Sequence, residues 1–392
     1  MKYSNLNNKS NIDHWLEPDF PINYLLDLSN YCILIFLLYF FCKFYKINNF
    51  IFYVSCLLIA TPFFFNGFLI DWHDFSDQSK YINGARNLRS NFFESIVSTS
   101  FFDKIFVTSL FYNMSPTTNF ETFRSIGFIN RFIFILMILF FINKKYLSLN
   151  TLFICILSPS LMLYSSISLR EILILTLMIF SVYNFLNKNY LIFFILIVSL
   201  LLIKFQNMLI VLFFCLLWNY IKIQNKKFAN FIFVIIFVGL TPYFDNILEE
   251  INLISLGFFS EVYSYETMFI EQHHQKYTLS NLFYLIPVKF IKFLISPFPD
   301  LMSIKFFLIF LENIIIYYLI YHEFFFQYSK KNKYQKMVVK VWLTVLIFSL
   351  SLYSIIIFNH GTIHRYKIII LIFILIAFNI QTKMKSINKN FN

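Results

Sequence analysis

Apolar runs separated by connectors that are sorted by charge constrain the fold of this chain more than any other feature. The first kind of connector is purely basic and holds Lys43 and Lys46, Lys144 and Lys145, Lys188, Lys222 with Lys226 and Lys227, Lys330 to Lys336, and the tail with Lys383, Lys385 and Lys389. The second kind holds most of the carboxylates, 13 of the 20, in loops at about 71–123 and 244–301. Because positively charged connectors of membrane proteins stay in the cytoplasm, the acidic loops are predicted to lie outside.

The composition is that of an integral membrane protein. The chain is 59% hydrophobic and only 13% charged, far from the average of soluble domains. Its net charge of +12 sits mainly in the basic connectors, where membrane topology explains it. We therefore expect membrane lipids as partners and no nucleic acid.

The apolar runs predict an all-α polytopic protein with about 11 transmembrane helices, since each crossing needs roughly 20 apolar residues. The predicted spans are 29–42, 50–70, 124–142, 147–165, 170–187, 190–204, 207–221, 229–243, 302–321, 338–358 and 367–380. An odd number places the N-terminus outside and the C-terminus in the cytoplasm. The predicted domains are a polar N-terminal segment (1–28), one membrane domain (29–380) and a basic cytoplasmic tail (381–392). A helix at 281–298 is expected to lie in the outer interface.

The six arginines stand apart from the lysines, because all of them map to outer loops or to the outer ends of spans. They are Arg86, Arg89, Arg124, Arg131, Arg170 and Arg365. Guanidinium groups hold phosphates in two-point contacts, so as a set they indicate an outward-facing anion site. The alternative is that each arginine pairs with a nearby carboxylate.

The first outer loop contains a run of carboxylates directly after a span: Asp71, Asp74 and Asp77, followed by Tyr81 and Arg86. A carboxylate beside low-dielectric protein acts as a general base when its pKa is raised, so these aspartates are the candidate catalytic residues. Tyr81 and Arg86 are candidate substrate-binding residues. The alternative is that the three acids are solvated, or that one of them caps the following helix. His73 and Asp71 alone are too few ligands for a metal, so no metal or other cofactor is predicted.

Two further stretches place polar groups at the outer boundary of the membrane. Arg170 and Glu171 begin a span, and Lys204 with Gln206 forms a tight turn between two spans. An Arg and a Glu at that depth are expected to face protein or water rather than lipid. All four are candidate substrate-binding residues. The alternative for Lys204 is that its amine extends to the interface.

The final candidate stretch, 359–367, is predicted to be a polar hairpin between the last two spans. Gly361 permits a turn there. His360, His364 and Arg365 are candidates for binding phosphate or for moving a proton. We favour this role over a simple spacer.

The order of these motifs resembles a known group of proteins. The motifs are Asp77-x-x-x-Tyr81, then Pro159-Ser160 with Ser168-Leu-Arg170-Glu171, then Ile295-Ser-Pro-Phe-Pro-Asp300 and Asn359-His-Gly-Thr-Ile-His-Arg365-Tyr-Lys. They resemble bacterial polytopic glycosyltransferases of the GT-C superfamily and the repeat-unit or O-antigen polymerases of surface-polysaccharide clusters. The resemblance implies a GT-C-like fold in the bacterial inner membrane and an extracytoplasmic site. It also implies polyprenyl-linked sugar donors and acceptors, a base among Asp71, Asp74 and Asp77, and Arg170 and Arg365 at the diphosphate.

Several functions remain open at this point. A polymerase joins whole lipid-linked repeat units, whereas a simple transferase adds one sugar, and no residue separates the two. The alternative of another class is a lipid-linked oligosaccharide flippase or other transporter. Such proteins use broken helices, repeats and charges at mid-membrane. With six glycines and ionisable residues at the outer edge, the chain favours an enzyme.

Overall fold

The computed structural model of the chain describes residues 21–69, 75, 77–90, 92, 103–117, 120–222, 244–262, 277–297, 304–326, 332–357 and 360–389. Within these ranges every extended regular element is a helix. The prediction of an all-α protein is therefore confirmed for this part of the chain. The chain divides into two compact units, Met1–Asn207 and Met208–Asn392.

The first unit is built around one central helix. Its helices are α1 (Pro21–Phe44), α2 (Asn49–Ile59), α3 (Pro62–Phe65), α4 (Asp77–Ser90), α5 (Lys104–Asn113), α6 (Ser125–Asn143), α7 (Leu149–Leu157), α8 (Pro159–Ser166), α9 (Glu171–Leu186), α10 (Tyr190–Ile203) and the start of α11 (Phe205–Lys222). Helix α6 packs against α1, α2, α3, α8 and α9. Helices α4 and α5 pack against each other, and α10 packs on α9.

The second unit is organised around α15. After α11, its helices are α12 (Phe244–Val262), α13 (Leu279–Ile295), α14 (Ile304–Phe325), α15 (Lys333–Ile356) and α16 (His360–Lys389). Helix α15 contacts α12, α13 and α16, and α14 contacts α16. Helix α13 contains Pro287 and falls where the sequence predicts an interfacial helix.

Six helical stretches are long and apolar enough to cross a membrane: Asn23–Phe44, Ser125–Asn143, Phe205–Lys222, Phe307–Phe325, Lys333–Ile355 and Thr362–Met384. A seventh candidate is the pair α7 and α8, which is bent by 57°. The chain is therefore a multi-pass membrane protein.

The predicted count of eleven full-length spans is not reached in the described ranges. Three of the predicted crossings correspond to shorter apolar helices, Asn49–Phe65, Glu171–Leu186 and Tyr190–Ile203. Hydropathy detects the apolar run but not where the helix stops, and each of these helices ends at a polar turn. The predicted span 229–243 lies outside the described residues.

Helix boundaries at both ends of the membrane domain also differ from the sequence prediction. Helix α1 begins at Pro21 rather than at residue 29, because the side chain of Asp27, which interrupts the apolar run, is buried against protein partners. Helix α16 continues to Lys389, well into the predicted tail.

Three helices of the first unit end in the same kind of turn. Lys46, Lys145 and Lys188 follow α1, α6 and α9 with φ angles of 54°, 57° and 63°, in the left-handed region. After each lysine the next residue donates its N–H to the carbonyl five residues earlier: Ile47 to Cys42, Tyr146 to Phe141, and Asn189 to Asn184. This is the Schellman pattern that satisfies the last carbonyls of a helix.

Aromatic rings hold these three turns side by side. The rings of Tyr45 and Phe140 are 6.3 Å apart, those of Phe140 and Tyr183 are 5.7 Å apart, and those of Tyr146 and Tyr183 are 6.3 Å apart. The C-termini of α1, α6 and α9 therefore meet at one end of the first unit, which we call the lysine end. Their N-termini meet at the opposite end, which we call the polar end.

Candidate functional site

The polar end of the first unit contains a break between α8 and α9. The amide of Asn130, inside α6, donates to the carbonyls of Ile167 and Leu169 over 3.0 and 2.5 Å. The hydroxyl of Tyr112, on α5, lies 2.8 Å from the same Leu169 carbonyl and 2.9 Å from Asn130 Oδ1. Backbone groups freed by a break must find partners inside a membrane protein, and here two buried side chains supply them.

Ser168 joins this break to the start of α6. Its hydroxyl donates to the carbonyl of Phe123 and accepts from the backbone N–H of Gly127 over 3.1 Å. The N–H groups of a first helical turn have no partner within the helix, and Ser168 satisfies one of them. These two hydrogen bonds fix the break between α8 and α9 to the start of α6.

Gln78 attaches helix α4 to the same place. Its side-chain carbonyl accepts from Asn66 Nδ2 and from the backbone N–H of Ser168, both over 2.9 Å. Gln78 is fully buried. Helix α4 is consequently docked on the polar end, and it positions the residues that flank Gln78.

Four of the sequence-predicted site residues meet beside the break. The guanidinium carbon of Arg170 lies 5.8 Å from the centroid of the Tyr81 ring, and Arg170 Nη1 donates to the carbonyl of Ile203 over 3.1 Å. Lys204 follows Ile203 directly, and Glu171 follows Arg170. The side chains of Lys204 and Glu171 are both buried. We call Tyr81, Tyr112, Arg170, Glu171 and Lys204 the Arg170 cluster.

The electrostatics of Tyr112 show how close these groups lie. Burial raises the pKa of Tyr112 well above its ordinary value, and the negative charge of Glu171 and the neighbouring Tyr81 raise it further. The hydrogen bond with Asn130 and the charge of Arg170 act in the opposite direction. Tyr112 is therefore a neutral hydroxyl, and the charges of Glu171 and Arg170 both act on it.

The Arg170 cluster has the composition of an anion site with a carboxylate beside it. Arg170 and Lys204 supply two positive charges, and Glu171 supplies an acceptor for hydroxyl groups. The rings of Tyr81 and Tyr112 are buried beside these groups. Ionisable groups buried at a membrane boundary usually mark a functional site.

The candidate bases are only partly described. Asp71 and Asp74 lie outside the described residues. Asp77 is the first residue of α4, one turn before Tyr81, and it forms an ion pair with Lys80 over 2.8 Å. Its side chain is 42% exposed, so it faces solvent rather than the low-dielectric surroundings expected for a base. The position of Asp77 at the start of α4 also fits the alternative that this residue caps the helix.

Other arginines of the first unit are engaged in structural contacts. Arg86 pairs with Glu121, and Arg124 pairs with Asp27. Arg131 donates to the Leu58 carbonyl over 2.9 Å and to Ser165 Oγ over 2.7 Å. Arg89 donates to the carbonyl of Thr117 over 2.6 Å. The five arginines of the first unit therefore do not form a single anion site, and of these only Arg170 lies in the cluster. Gln206 lies in the first turn of α11, where its side chain is half-buried.

In the second unit the predicted polar hairpin is mostly a helix. Helix α16 begins at His360, so residues 360–367 are helical rather than a turn. His364 is buried, and Arg365 donates to the hydroxyl of Tyr366 over 3.1 Å. The prediction failed because Gly361 was taken as a turn residue, although a single glycine is tolerated at the start of a helix.

Sequence reasoning missed Lys367, which has the clearest role in this stretch. Its amine donates to three carbonyls at the C-terminus of α13: Phe293, Leu294 at 3.2 Å, and Ser296. A cation at the end of a helix compensates the carbonyls that lack partners. Lys367 thereby holds α13 to the start of α16.

Tyr112, Asn130 and Gln78 were also missed. For Asn130 a signal was present, because an amide within a 19-residue apolar helix needs buried partners. No local pattern singles out Tyr112 or Gln78, since their role depends on contacts with residues far away in the sequence.

No protein-family model, curated protein or solved structure matches this chain. Among the described residues, no group of three or more His, Cys, Asp or Glu side chains is arranged to hold a metal ion.

Proposed function

We propose that this chain is a membrane glycosyltransferase or polysaccharide polymerase that uses polyprenyl-(pyro)phosphate-linked sugars. It acts on the extracytoplasmic face of a bacterial inner (plasma) membrane, in the synthesis of a surface polysaccharide. The observation that carries the proposal is the Arg170 cluster: two cations and a carboxylate at the ends of apolar helices, with two aromatic rings beside them. A lipid phosphate bearing a sugar presents the matching anion, hydroxyl groups and ring at that depth.

The proposed topology follows from the two ends of the first unit. The lysine end lies in the cytoplasm and the polar end outside, in agreement with the distribution of positive charge. The N-terminus is then outside and the C-terminus inside. In the proposed GT-C-like arrangement there are eleven crossings. They are the six long apolar helices, the bent pair of α7 and α8, the three shorter apolar helices, and the span that the sequence predicts at 229–243.

The proposed chemistry is a displacement at the anomeric carbon. A carboxylate, assigned to one of Asp71, Asp74 and Asp77, takes the proton of the acceptor hydroxyl. The hydroxyl oxygen bonds to the anomeric carbon while the bond from that carbon to the phosphate oxygen breaks, and the electron pair leaves on the phosphate. Arg170 and Lys204 stabilise the growing negative charge of this leaving group.

The other candidate residues bind the substrates. Tyr81 and Glu171 contact the sugar, and Gln206 and Arg86 contact the acceptor. For the second unit we propose phosphate binding by His360, His364 and Arg365, at the start of α16.

The test is a profile of lipid-linked oligosaccharides, run beside a gel of surface polysaccharide, in cells with and without the gene. Complete single repeat units without long chains identify a polymerase, and a unit that lacks one sugar identifies a single-sugar transferase. Complete units trapped on the cytoplasmic side would contradict sugar transfer and favour a flippase. An unchanged profile would reject a role in polysaccharide synthesis.

Variants of the same gene connect the profile to the cluster. Arg170→Lys and Glu171→Gln should reproduce the profile of the deletion while the protein still reaches the membrane. The matched control is Arg89→Lys: Arg89 also lies at the polar end, but it donates to the Thr117 carbonyl over 2.6 Å and packs on Phe120, outside the cluster. A normal profile for both cluster variants would place the reaction elsewhere.

A further inference from the structure

The lysine end of the first unit carries a feature that topology alone does not explain. A lysine occupies the left-handed position after each of three neighbouring helices, at Lys46, Lys145 and Lys188. This backbone conformation is unfavourable for residues with a Cβ, and glycine or asparagine is the usual occupant. A basic residue one position away would serve membrane topology equally well without that cost. The choice of lysine at all three positions indicates that its side chain has a role there.

The three lysines in the left-handed conformation lie on the surface of the first unit. All three side chains are exposed. Lys43 and Lys144, one turn or less before two of these positions, are exposed as well, and their amines lie 6.0 Å from the ring centroids of Tyr39 and Phe140. Five lysines thus surround the three turns.

The segments that form the three turns contain no acidic residue of their own. They are residues 42–49, 141–149 and 184–191. The rings of Tyr45, Tyr146 and Tyr183, which join the turns, are half-buried between the helices. Tyrosine is typical of the membrane–water interface, where its ring contacts acyl chains and its hydroxyl contacts headgroups.

We propose that the lysine end is a binding site for the headgroups of anionic phospholipids, formed by Lys46, Lys145 and Lys188 around the tyrosines of the three turns. The three helices are apolar, so we expect the charged turns at their ends to lie at the membrane–water interface, where lipid phosphates are. Basic sites between transmembrane helices on the cytoplasmic side bind such headgroups. The proposal is independent of the function proposed for the Arg170 cluster.

The test uses the full-length protein in neutral detergent, titrated with short-chain phosphatidylglycerol while the thermal unfolding midpoint is followed. The wild type is expected to gain stability with the lipid. The triple variant K46N/K145N/K188N keeps residues that tolerate the left-handed backbone but lacks the charges. If each lysine raises the affinity for the lipid roughly fivefold, this variant should need on the order of 100-fold more lipid to reach the same increase in the unfolding midpoint.

Two controls separate a lipid site from general charge. The triple variant K333Q/K336Q/K340Q removes the same number of charges from α15 and should titrate like the wild type. Inorganic phosphate should leave the wild-type midpoint unchanged. An equal loss of the lipid effect in the α15 variant, or an equal effect of inorganic phosphate, would overturn the proposal.

A second variant distinguishes loss of lipid binding from misfolding and from a purely structural role of the lysines. In K46G/K145G/K188G the strained backbone is relieved, so the midpoint without lipid should equal or exceed that of the wild type. Its response to phosphatidylglycerol should nevertheless be lost. A wild-type lipid response in the glycine variant or in the asparagine variant would overturn the proposal.

Discussion

Asp27 and Arg124 form a buried ion pair at the polar end, with Arg124 Nη1 and Asp27 Oδ2 3.1 Å apart and side chains that are 1% and 0% exposed. The hydroxyl of Thr122 donates to the other carboxylate oxygen of Asp27 over 2.5 Å, and Arg124 Nε donates to the carbonyl of Asn66 over 2.8 Å. The pair therefore ties α1 and the segment after α3 to the start of α6. Both charges are compensated by direct contacts, as buried charges must be.

Removing one partner of this pair should be costly. Asp27→Ala leaves Arg124 buried without its counter-charge, and we expect a loss of about 3–5 kcal/mol in the free energy of unfolding. Thermal unfolding in detergent measures the effect. Glu121→Gln is the matched control, because Glu121 pairs with Arg86 at a site where its side chain is 50% exposed. That control should stay within about 1 kcal/mol of the wild type, and an equally mild effect of Asp27→Ala would show that the pair does not secure α1.

Gly127 should not tolerate a side chain. A Cβ at this position would collide with the backbone carbonyl group of Ser166, at the end of α8. Alanine favours helices over glycine by about 1 kcal/mol, but the rigid carbonyl cannot move aside. Gly127→Ala should therefore destabilise the protein by about 1–3 kcal/mol, the usual cost of overpacking.

Gly84→Ala provides the comparison for this prediction. There the Cβ would meet the side chain of Ser109, whose hydroxyl can rotate away. The midpoint of thermal unfolding should fall clearly more for Gly127→Ala than for Gly84→Ala. The reverse order would mean that α6 and α8 approach less closely than the structure shows.

The membrane character of this chain was predictable because it depends on local composition. Apolar runs and basic connectors place most of the helices, and the Lys-containing turns after α1, α6 and α9 coincide with predicted connectors. The start of α1 was not predictable in this way. Its boundary depends on Asp27, which a hydropathy scale treats as a solvated charge. In the structure the Asp27 carboxylate is buried, where it pairs with Arg124 and accepts a hydrogen bond from Thr122.

The candidate site was predictable in part. Arg170, Glu171 and Lys204 stood out as charges at the ends of apolar runs, and the structure brings them together with Tyr81. Tyr112 could not be found because it belongs to a short apolar helix and acts on a carbonyl 57 residues away. Asp77 was favoured by its spacing, but spacing does not show whether a carboxylate is buried.

Tyr112→Phe should loosen the break between α8 and α9. The variant keeps the ring but removes the hydroxyl that contacts the Leu169 carbonyl and Asn130. The Leu169 carbonyl keeps its hydrogen bond from Asn130, but the buried contact of the hydroxyl with Asn130 Oδ1 is lost. Losing a buried hydrogen bond costs about 1–3 kcal/mol, and the unfolding free energy should fall by that amount. Tyr53→Phe is the control, since the Tyr53 side chain is exposed on α2. If both variants unfold alike in detergent, the Tyr112 hydroxyl does not hold the break.

The stability of the second unit should increase with pH above about 8 because of Lys289. The amine of Lys289 donates to the hydroxyl of Tyr277 and lies 4.3 Å from the centroid of its ring. Burial, and secondarily the charge of Lys292, lower the pKa of Lys289 from 10.5 to about 8. Between these two values the unfolded chain binds more protons than the folded protein, so the free energy of unfolding rises with pH. The penalty for burying the charged amine is fully present below about pH 8 and disappears towards the pKa of the unfolded chain.

Burial also raises the pKa of Tyr277, which works in the opposite direction once free tyrosine begins to ionise near pH 10. The effect of Lys289 should therefore be visible as a rise in the thermal midpoint between about pH 8 and about pH 10, measured in the same detergent. In Lys289→Met the rise should be absent, because methionine keeps the apolar stem without the titrating amine. Lys340→Met, an exposed position on α15, should keep the wild-type slope. An unchanged slope in Lys289→Met would show that the amine is solvated and that its contact with Tyr277 does not govern its charge.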